Sequence, residues 1–219
     1  MDFNATLIAS GLPNLLPQQD RSEGTHVSGI ITDMCIKLGY YSEEQEINRN
    51  LVELGKIFEW AIIQRYLLDS PDDYMEIGEQ ELDGVYGHPD LLLNREERIK
   101  EIKWTFRSSN PVCEVGKPVP LDHPIATTPS KFWKDRVQLM AYCRMIGYLE
   151  GELEIGYHRG NYRDRMIDHA IWLFKFTKQQ LIDNWDKLLR HRDEFSCKYC
   201  GRFKHEGHGQ KCTNPEPWK

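Results

Sequence analysis

The amino-acid sequence predicts a mixed α/β fold built around one hydrophobic core. Three observations predict it. Between residues 43 and 68, Leu51, Leu54, Phe58, Ile62 and Leu67 recur at approximately helical spacing. Three strands are expected to follow, near 81–86, 89–93 and 98–106, the last two of them apolar runs bounded by turn or basic residues, and runs of that length suit buried strands. A second helical segment, two more strands and a last helix complete the pattern, and helices interleaved with strands pack as layers on a sheet. The 219 residues give one domain a substantial core and leave room for a small appendage.

Each element has a local reason. Residues 1–25 are rich in Asn, Pro, Gln and Gly and read as a loose arm. His26 to Tyr41 reads as a short helix with Ser28 as its cap. The helix over 43–68 ends before Ser70-Pro71-Asp72-Asp73, so 69–80 reads as a connection. Gly84 and Gly87 permit a tight turn or bulge between the first two strands. Residues 107–129 are proline-rich with little periodicity and read as a long loop, a feature often tied to function. Ser130 is the expected N-cap of a helix that Gly147 stops. Strands are expected over 151–158 and 170–176, joined by the turn from Gly160 to Arg165. Thr177 should cap a last helix reaching Glu194. The core domain is thus expected over 26–195, with 196–219 as a separate tail.

Composition narrows the function classes. Apolar residues make up 40% and charged residues 28%, as in a soluble globular protein. No apolar run approaches the roughly 20 residues that a membrane span needs. The N-terminus carries neither the basic nor the apolar region of a signal peptide. Three of the six cysteines crowd into residues 197–212, which suits a metal site in a reducing, cytoplasmic setting better than a disulfide framework. The formal net charge of -6 argues against non-specific coating of nucleic acid. Local basic strips remain. Lys131, Lys134, Arg136 and Arg144 recur on one predicted helix, and Lys198, Arg202, Lys204 and Lys211 mark the tail. Such strips also occur as plain solvated surface. Lys131, Lys134 and Arg136 are the candidate DNA-binding residues.

The most informative residues are acids set inside apolar runs. The chain reads Gly87-His88-Pro89-Asp90-Leu91-Leu92-Leu93, then Arg98-Ile99-Lys100-Glu101-Ile102-Lys103-Trp104. Charges in such runs are costly unless they are paired or bind metal. Lys103 lies two residues after Glu101 and so shares its face of the strand. Taken alone, a Glu-x-Lys is a common surface ion pair. The neighbouring Pro89-Asp90 makes a metal site the better reading. Asp90 and Glu101 would hold Mg²⁺ or Mn²⁺, with the Ile102 carbonyl as a further oxygen, and Lys103 would serve an attacking water or the phosphate.

Two more elements extend the set. Gly55 and Glu59 stand four apart on the helix before the strands, and Gln138 and Tyr142 stand four apart on the helix after them, on one helical face. With Gly87, Asp90, Glu101 and Lys103 in between, this order resembles the PD-(D/E)xK nuclease superfamily, and within it the RecB-like branch that includes phage recombination exonucleases. The resemblance spans about residues 26–195. It implies a restriction-endonuclease-like core, in which a central mixed sheet in αβββαβ order is flanked by helices. It also implies Mg²⁺- or Mn²⁺-dependent cleavage of DNA. Glu59 takes the position of the acid or histidine of the first helix. Many RecB-like members have histidine there, so Glu59 is a departure. Gln138 and Tyr142 would contact the DNA backbone or support the metal site. His88 is expected to be structural or to face DNA.

The tail carries a second metal expectation. Cys197, Cys200, His208 and Cys212 have the spacing of a tetrahedral Zn²⁺ site, with His205 as an alternative ligand. With so few apolar residues in the tail, metal would supply the folding energy. A 4Fe-4S cluster is the other reading, held by Cys35 with Cys197, Cys200 and Cys212, an arrangement similar to that of several RecB-like nucleases. Two histidines in the gap between Cys200 and Cys212 depart from it. Cys113 and Cys143 read as ordinary apolar residues.

The functional expectation is a metal-dependent DNA nuclease, an exonuclease of recombination or repair such as a phage encodes. A structure-specific or nicking endonuclease on the same fold is the enzyme alternative, and a non-catalytic DNA-binding or assembly module is the other. DNA is the expected partner. A recombination or single-strand annealing protein, or further copies of this chain, would supply processivity.

Overall fold

A computed structural model describes residues 24–37, 49–105, 129–160 and 165–195. The elements in chain order are β1 (Thr25–His26), α1 (Val27–Lys37), α2 (Arg49–Asp69), β2 (Tyr74–Met75), β3 (Gln80–Leu82), β4 (Val85–Gly87), β5 (Leu91–Leu93), β6 (Arg98–Thr105), α3 (Pro129–Ile146), β7 (Glu150–Gly160), β8 (Arg165–Lys175) and α4 (Lys178–Phe195). Residues 1–23 of the expected arm, most of the expected proline-rich loop and the whole 196–219 tail lie outside the described residues.

Two mixed sheets carry the fold. The larger has the order β2-β5-β6-β7-β8 and the smaller β1-β4-β3. In the larger sheet β5 and β6 are antiparallel, β6 and β7 parallel, and β7 and β8 antiparallel. The parallel step from β6 to β7 needs a crossover, and α3 lies within it. The coarse order of helix, strands, helix, strands and helix is the expected one, but five strands rather than three lie between α2 and α3, and they divide between two sheets rather than forming one.

The apolar core lies on one face of the large sheet. Ile30 and Cys35 of α1, Leu139 and Cys143 of α3, Leu153 and Ile155 of β7, and Trp185 and Leu188 of α4 meet there. Trp185 is 2% exposed and its indole N–H donates to Asp83 at 2.8 Å, so the largest core side chain also satisfies its polar atom. A buried pair, His191 Nε2 and Asp33 Oδ2 at 2.7 Å, ties α4 to α1. The α2 helix lies against β6. Among the described residues, no helix is long and apolar enough to cross a membrane.

The helix ends follow local chemistry. Thr177 accepts from the Gln180 amide at 3.2 Å while the Gln180 side chain accepts from the Thr177 amide at 2.9 Å, a reciprocal capping box. Gly147, at φ 91°, closes α3 by donating to the Cys143 carbonyl at 2.9 Å.

Several boundaries differ from expectation. The run 81–86 is not one strand but a hairpin of β3 and β4, turned at Asp83 (φ 51°) and Gly84 (φ 72°). Two positive φ angles in succession define the hairpin turn that Asp-Gly favours. Gly87 serves packing instead, since a Cβ there would lie 2.7 Å from the Tyr142 ring. The expected connection over 69–80 contains β2, which pairs two residues with β5. Ser28 falls inside the first turn of α1, where its carbonyl accepts from Thr32, so it is not the cap. Strand β8 begins at Arg165, five residues before the expected start, because its pairing with β7 continues toward the turn.

Candidate active site

Strand β6 is paired along its full length on one side only. β7 runs beside it from Arg98 to Thr105. On the other side β5 reaches only Arg98, Ile99 and Lys100. Amides that point away from β7 therefore lack a strand partner beyond Lys100, and unpaired buried amides need one. Two carboxylates take the role. Ile102 N–H donates to Asp90 Oδ2 at 2.7 Å, and Trp104 N–H donates to Glu59 Oε1 at 2.9 Å. Asp90 arrives from the step between β4 and β5, and Glu59 arrives from α2. The half-paired strand thus draws acids from two distant segments to its open edge.

Side chains alternate along β6. Glu101 and Lys103 share one face, and the Lys103 ammonium lies against Glu101 Oε1. Gln138 Nε2 of α3 donates to the same Oε1 at 2.9 Å and lies 2.8 Å from the Tyr142 hydroxyl, to which it also donates. Gln138 and Tyr142 are one helical turn apart, which is why both reach the strand. Glu101 is 1% exposed, and its Oε2 has no hydrogen-bond partner among the described residues.

The electrostatics are those of crowded acids. Burial pushes the Glu101 carboxyl well above its ordinary range; Asp90 and Glu59 push it further, against Lys103. Burial also raises Asp90 and Glu59, again with Lys103 opposing. The charge of His88 favours the Asp90 carboxylate. Burial disfavours the Lys103 ammonium, but Glu101, Asp90, Glu59 and Asp135 outweigh it and hold that group well above its ordinary value. Burial, then Glu101, raises the Tyr142 hydroxyl.

These residues fit a hard divalent cation. Among the described residues no three His, Cys, Asp or Glu side chains form a ready-made metal cage. Mg²⁺ does not require one, because it keeps several waters and takes one or two protein carboxylates. Three carboxylates facing one ammonium leave surplus negative charge, and a buried carboxylate oxygen without a donor is costly until a cation meets it. Glu101 Oε2 is that oxygen. Asp90 is the second carboxylate, Glu59 stands nearby, and Ile102 lies between Glu101 and Lys103 on the strand.

The remaining expected residues divide. Lys131 lies in α3, but its side chain is outside the described residues. Lys134 is half-buried on α3. Arg136 lines a groove with Met34, Met140 and Asn184, two residues around the helix from Gln138 and away from the acids. Cys35 is 1% exposed in the core, with its thiol pushed up by burial. Cys197, Cys200, His205, His208 and Cys212 lie outside the described residues.

Two participants were not expected. The Trp104 amide receives Glu59, and a backbone donor has no signature in the residue types. Asp135, 6% exposed, stands three residues before Gln138 on the same face of α3, and its charge is felt by Lys103 and Glu59. That helical spacing was readable.

No protein-family model matches the sequence, and no curated protein matches it. Solved structures give loose superpositions. A phage-related exonuclease from Haemophilus somnus 129PT is similar at 12% identity and TM-score 0.47, over 75% of this chain and 78% of that chain. The alkaline exonuclease LHK-Exo from Laribacter hongkongensis is similar at 15% identity and TM-score 0.44, over 78% of this chain and 87% of that chain. Its complex with dAMP gives TM-score 0.42 at 15% identity over the same shares. Superpositions this loose do not assign a chemistry, so the residues of the site must carry it.

Proposed function

We propose that this protein is a DNA nuclease of the PD-(D/E)xK type that hydrolyses phosphodiester bonds with the help of Mg²⁺ or Mn²⁺, acting as an exonuclease in recombination or repair. One observation carries the reading. Asp90, Glu101, Lys103 and Glu59 meet at the open edge of β6, with one Glu101 oxygen left without a donor.

Asp90 and Glu101 would hold the metal, with the Ile102 carbonyl as a further ligand and Glu59 assisting. The bound cation would lower the pKa of a water and neutralise developing phosphate charge. The acids around Lys103 favour its ammonium form. Lys103 would orient or deprotonate the attacking water, or stabilise the charge that develops on the phosphate. Gln138 fixes the Glu101 carboxylate and is itself braced by Tyr142. For the tail, Zn²⁺ on Cys197, Cys200, His208 and Cys212 is the reading that ligand type and spacing favour, with a 4Fe-4S cluster that adds Cys35 as the alternative, and elemental analysis for Zn and Fe decides it.

The deciding experiment compares linear and covalently closed circular DNA, each with Mg²⁺, with Mn²⁺ and with chelator. Loss of linear DNA alone, abolished by chelator, is expected. Cutting of the circle would identify an endonuclease. No cleavage of either substrate with either metal would overturn the nuclease reading.

A further inference from the structure

Glu59 reaches the site from α2, and the attachment of that helix is distinctive. Among its described residues, α2 contributes no side chain to the buried apolar core. The apolar stripe Leu54, Phe58, Ile62 and Leu67 is only half-buried. Two other kinds of contact hold α2 to the sheet. Phe58 stacks on Trp104, with ring centroids 4.3 Å apart and planes 14° from parallel. Two turns after Glu59, the Tyr66 hydroxyl donates to Glu154 Oε2 at 2.7 Å.

Glu154 belongs to a charged cluster on the face of the sheet opposite Glu101. It is 2% exposed and also accepts from Lys100 Nζ at 3.1 Å. Lys100, 1% exposed, reaches Glu152 at 2.8 Å and stands 4.6 Å from the Tyr66 ring centroid. Burial works against the Lys100 charge, but Glu154 and Glu152 outweigh it. Burial and Glu154 push the Tyr66 hydroxyl up to about 12 despite Lys100, so it stays a donor.

Apolar packing is non-directional and allows a helix to slide. A buried, charge-assisted hydrogen bond is short and directional, and buried polar groups of this kind are best attested as devices that fix registry. Helical rise is about 1.5 Å per residue, so a slip of even one residue would carry Glu59 out of reach of the Trp104 amide. Tyr66 and Glu59 are seven residues apart on one rigid helix and must move together.

We infer that the Tyr66–Glu154–Lys100 cluster is the registry lock of α2, and that Tyr66 is a positioning residue acting on the site through Glu59. The effect on cleavage rests on the nuclease reading; the lock itself does not.

The test uses full-length protein carrying Tyr66→Phe or Glu154→Gln, and reads two amides of the same strand. Trp104 N–H is held by Glu59, and Ile102 N–H is held by Asp90, which is not on α2. Hydrogen exchange of Trp104 N–H is expected to quicken by up to about tenfold in Tyr66→Phe, the effect of one lost hydrogen bond on local opening, and by less in Glu154→Gln, whose amide oxygen still accepts, with Ile102 N–H unchanged in both. Equal quickening at both amides, or at neither, would overturn the lock. Cleavage is measured in parallel for wild type, Tyr66→Phe, Glu59→Gln and the double variant. Tyr66→Phe should slow the wild type but add nothing to Glu59→Gln. Losses that multiply would show that Tyr66 does not act through Glu59. If wild-type protein cleaves no DNA, the nuclease reading falls, and the amide comparison still decides the lock.

Discussion

Gln138 and Glu101 are joined by a hydrogen bond of 2.9 Å, and that bond decides which oxygen of the carboxylate stays open. Gln138 and Lys103 both claim Oε1, so Oε2 is left without a donor. Residues that orient a metal ligand typically contribute about 10- to 100-fold to metal affinity or activity. Gln138→Ala should therefore slow cleavage by about that factor, with a matching rise in the Mn²⁺ concentration for half-maximal rate. An unchanged metal requirement would mean that Gln138 serves only the helix.

Glu101→Gln should have opposite effects on stability and activity. The substitution keeps the shape of the side chain and removes a carboxyl whose ionised form burial, Asp90 and Glu59 disfavour. Without metal, the variant should melt higher than wild type, by about 2–4 °C for each kcal/mol gained. Isothermal titration with Mn²⁺ should show binding to wild type and none to the variant. A variant that melts lower in chelator would show that the Lys103 contact outweighs the repulsion.

Asp90→Ala and Lys103→Ala should each lower the cleavage rate by about 10²–10³-fold or more while DNA binding is largely kept. Single-turnover cleavage and a binding titration in Ca²⁺ separate the two quantities. Full activity in either variant would remove that residue from the chemistry.

Gly156→Ala tests the wall behind the site. A Cβ there would lie 2.2 Å from Trp104 Cε3. The indole rests on bare β7 backbone on one side and on Phe58 on the other. Overpacking of this kind typically costs about 1–3 kcal/mol. Chemical denaturation should show that loss, and the Glu59–Trp104 contact beside it should weaken with it.

Much of this arrangement was legible in the sequence because its signals are local. Asp90 and Glu101 stood out as charges inside apolar runs, and both occupy the β6 edge. Thr177 and Gly147 were legible as helix ends because capping involves only near neighbours. The Asp83-Gly84 turn was available to the same reasoning, but the run 81–86 resembled a single strand. Strand β2 was not legible: two residues have no periodicity, and only β5 makes them a strand. The apolar stripe of α2 suggested core burial, whereas its attachment depends on Tyr66 and on strand residues 34 and 88 positions away. Lys100 looked like one more basic residue, and only the alternation of β6 against α2 shows why it is buried.

That alternation sets a limit on how this protein can vary. Lys100 and Glu101 are neighbours in the chain, yet their charges belong to opposite faces of one sheet, and eight consecutive partners in β7 hold them there. Substitution around β6 leaves that assignment intact. Gain or loss of a single residue of β6 ahead of Lys100 would not, because every later side chain would change sides. The ammonium of Lys100 would then meet Gln138, and the Glu101 carboxylate would enter the acidic company of Glu152 and Glu154. The length of this strand is therefore under tighter constraint than the identity of most residues in it.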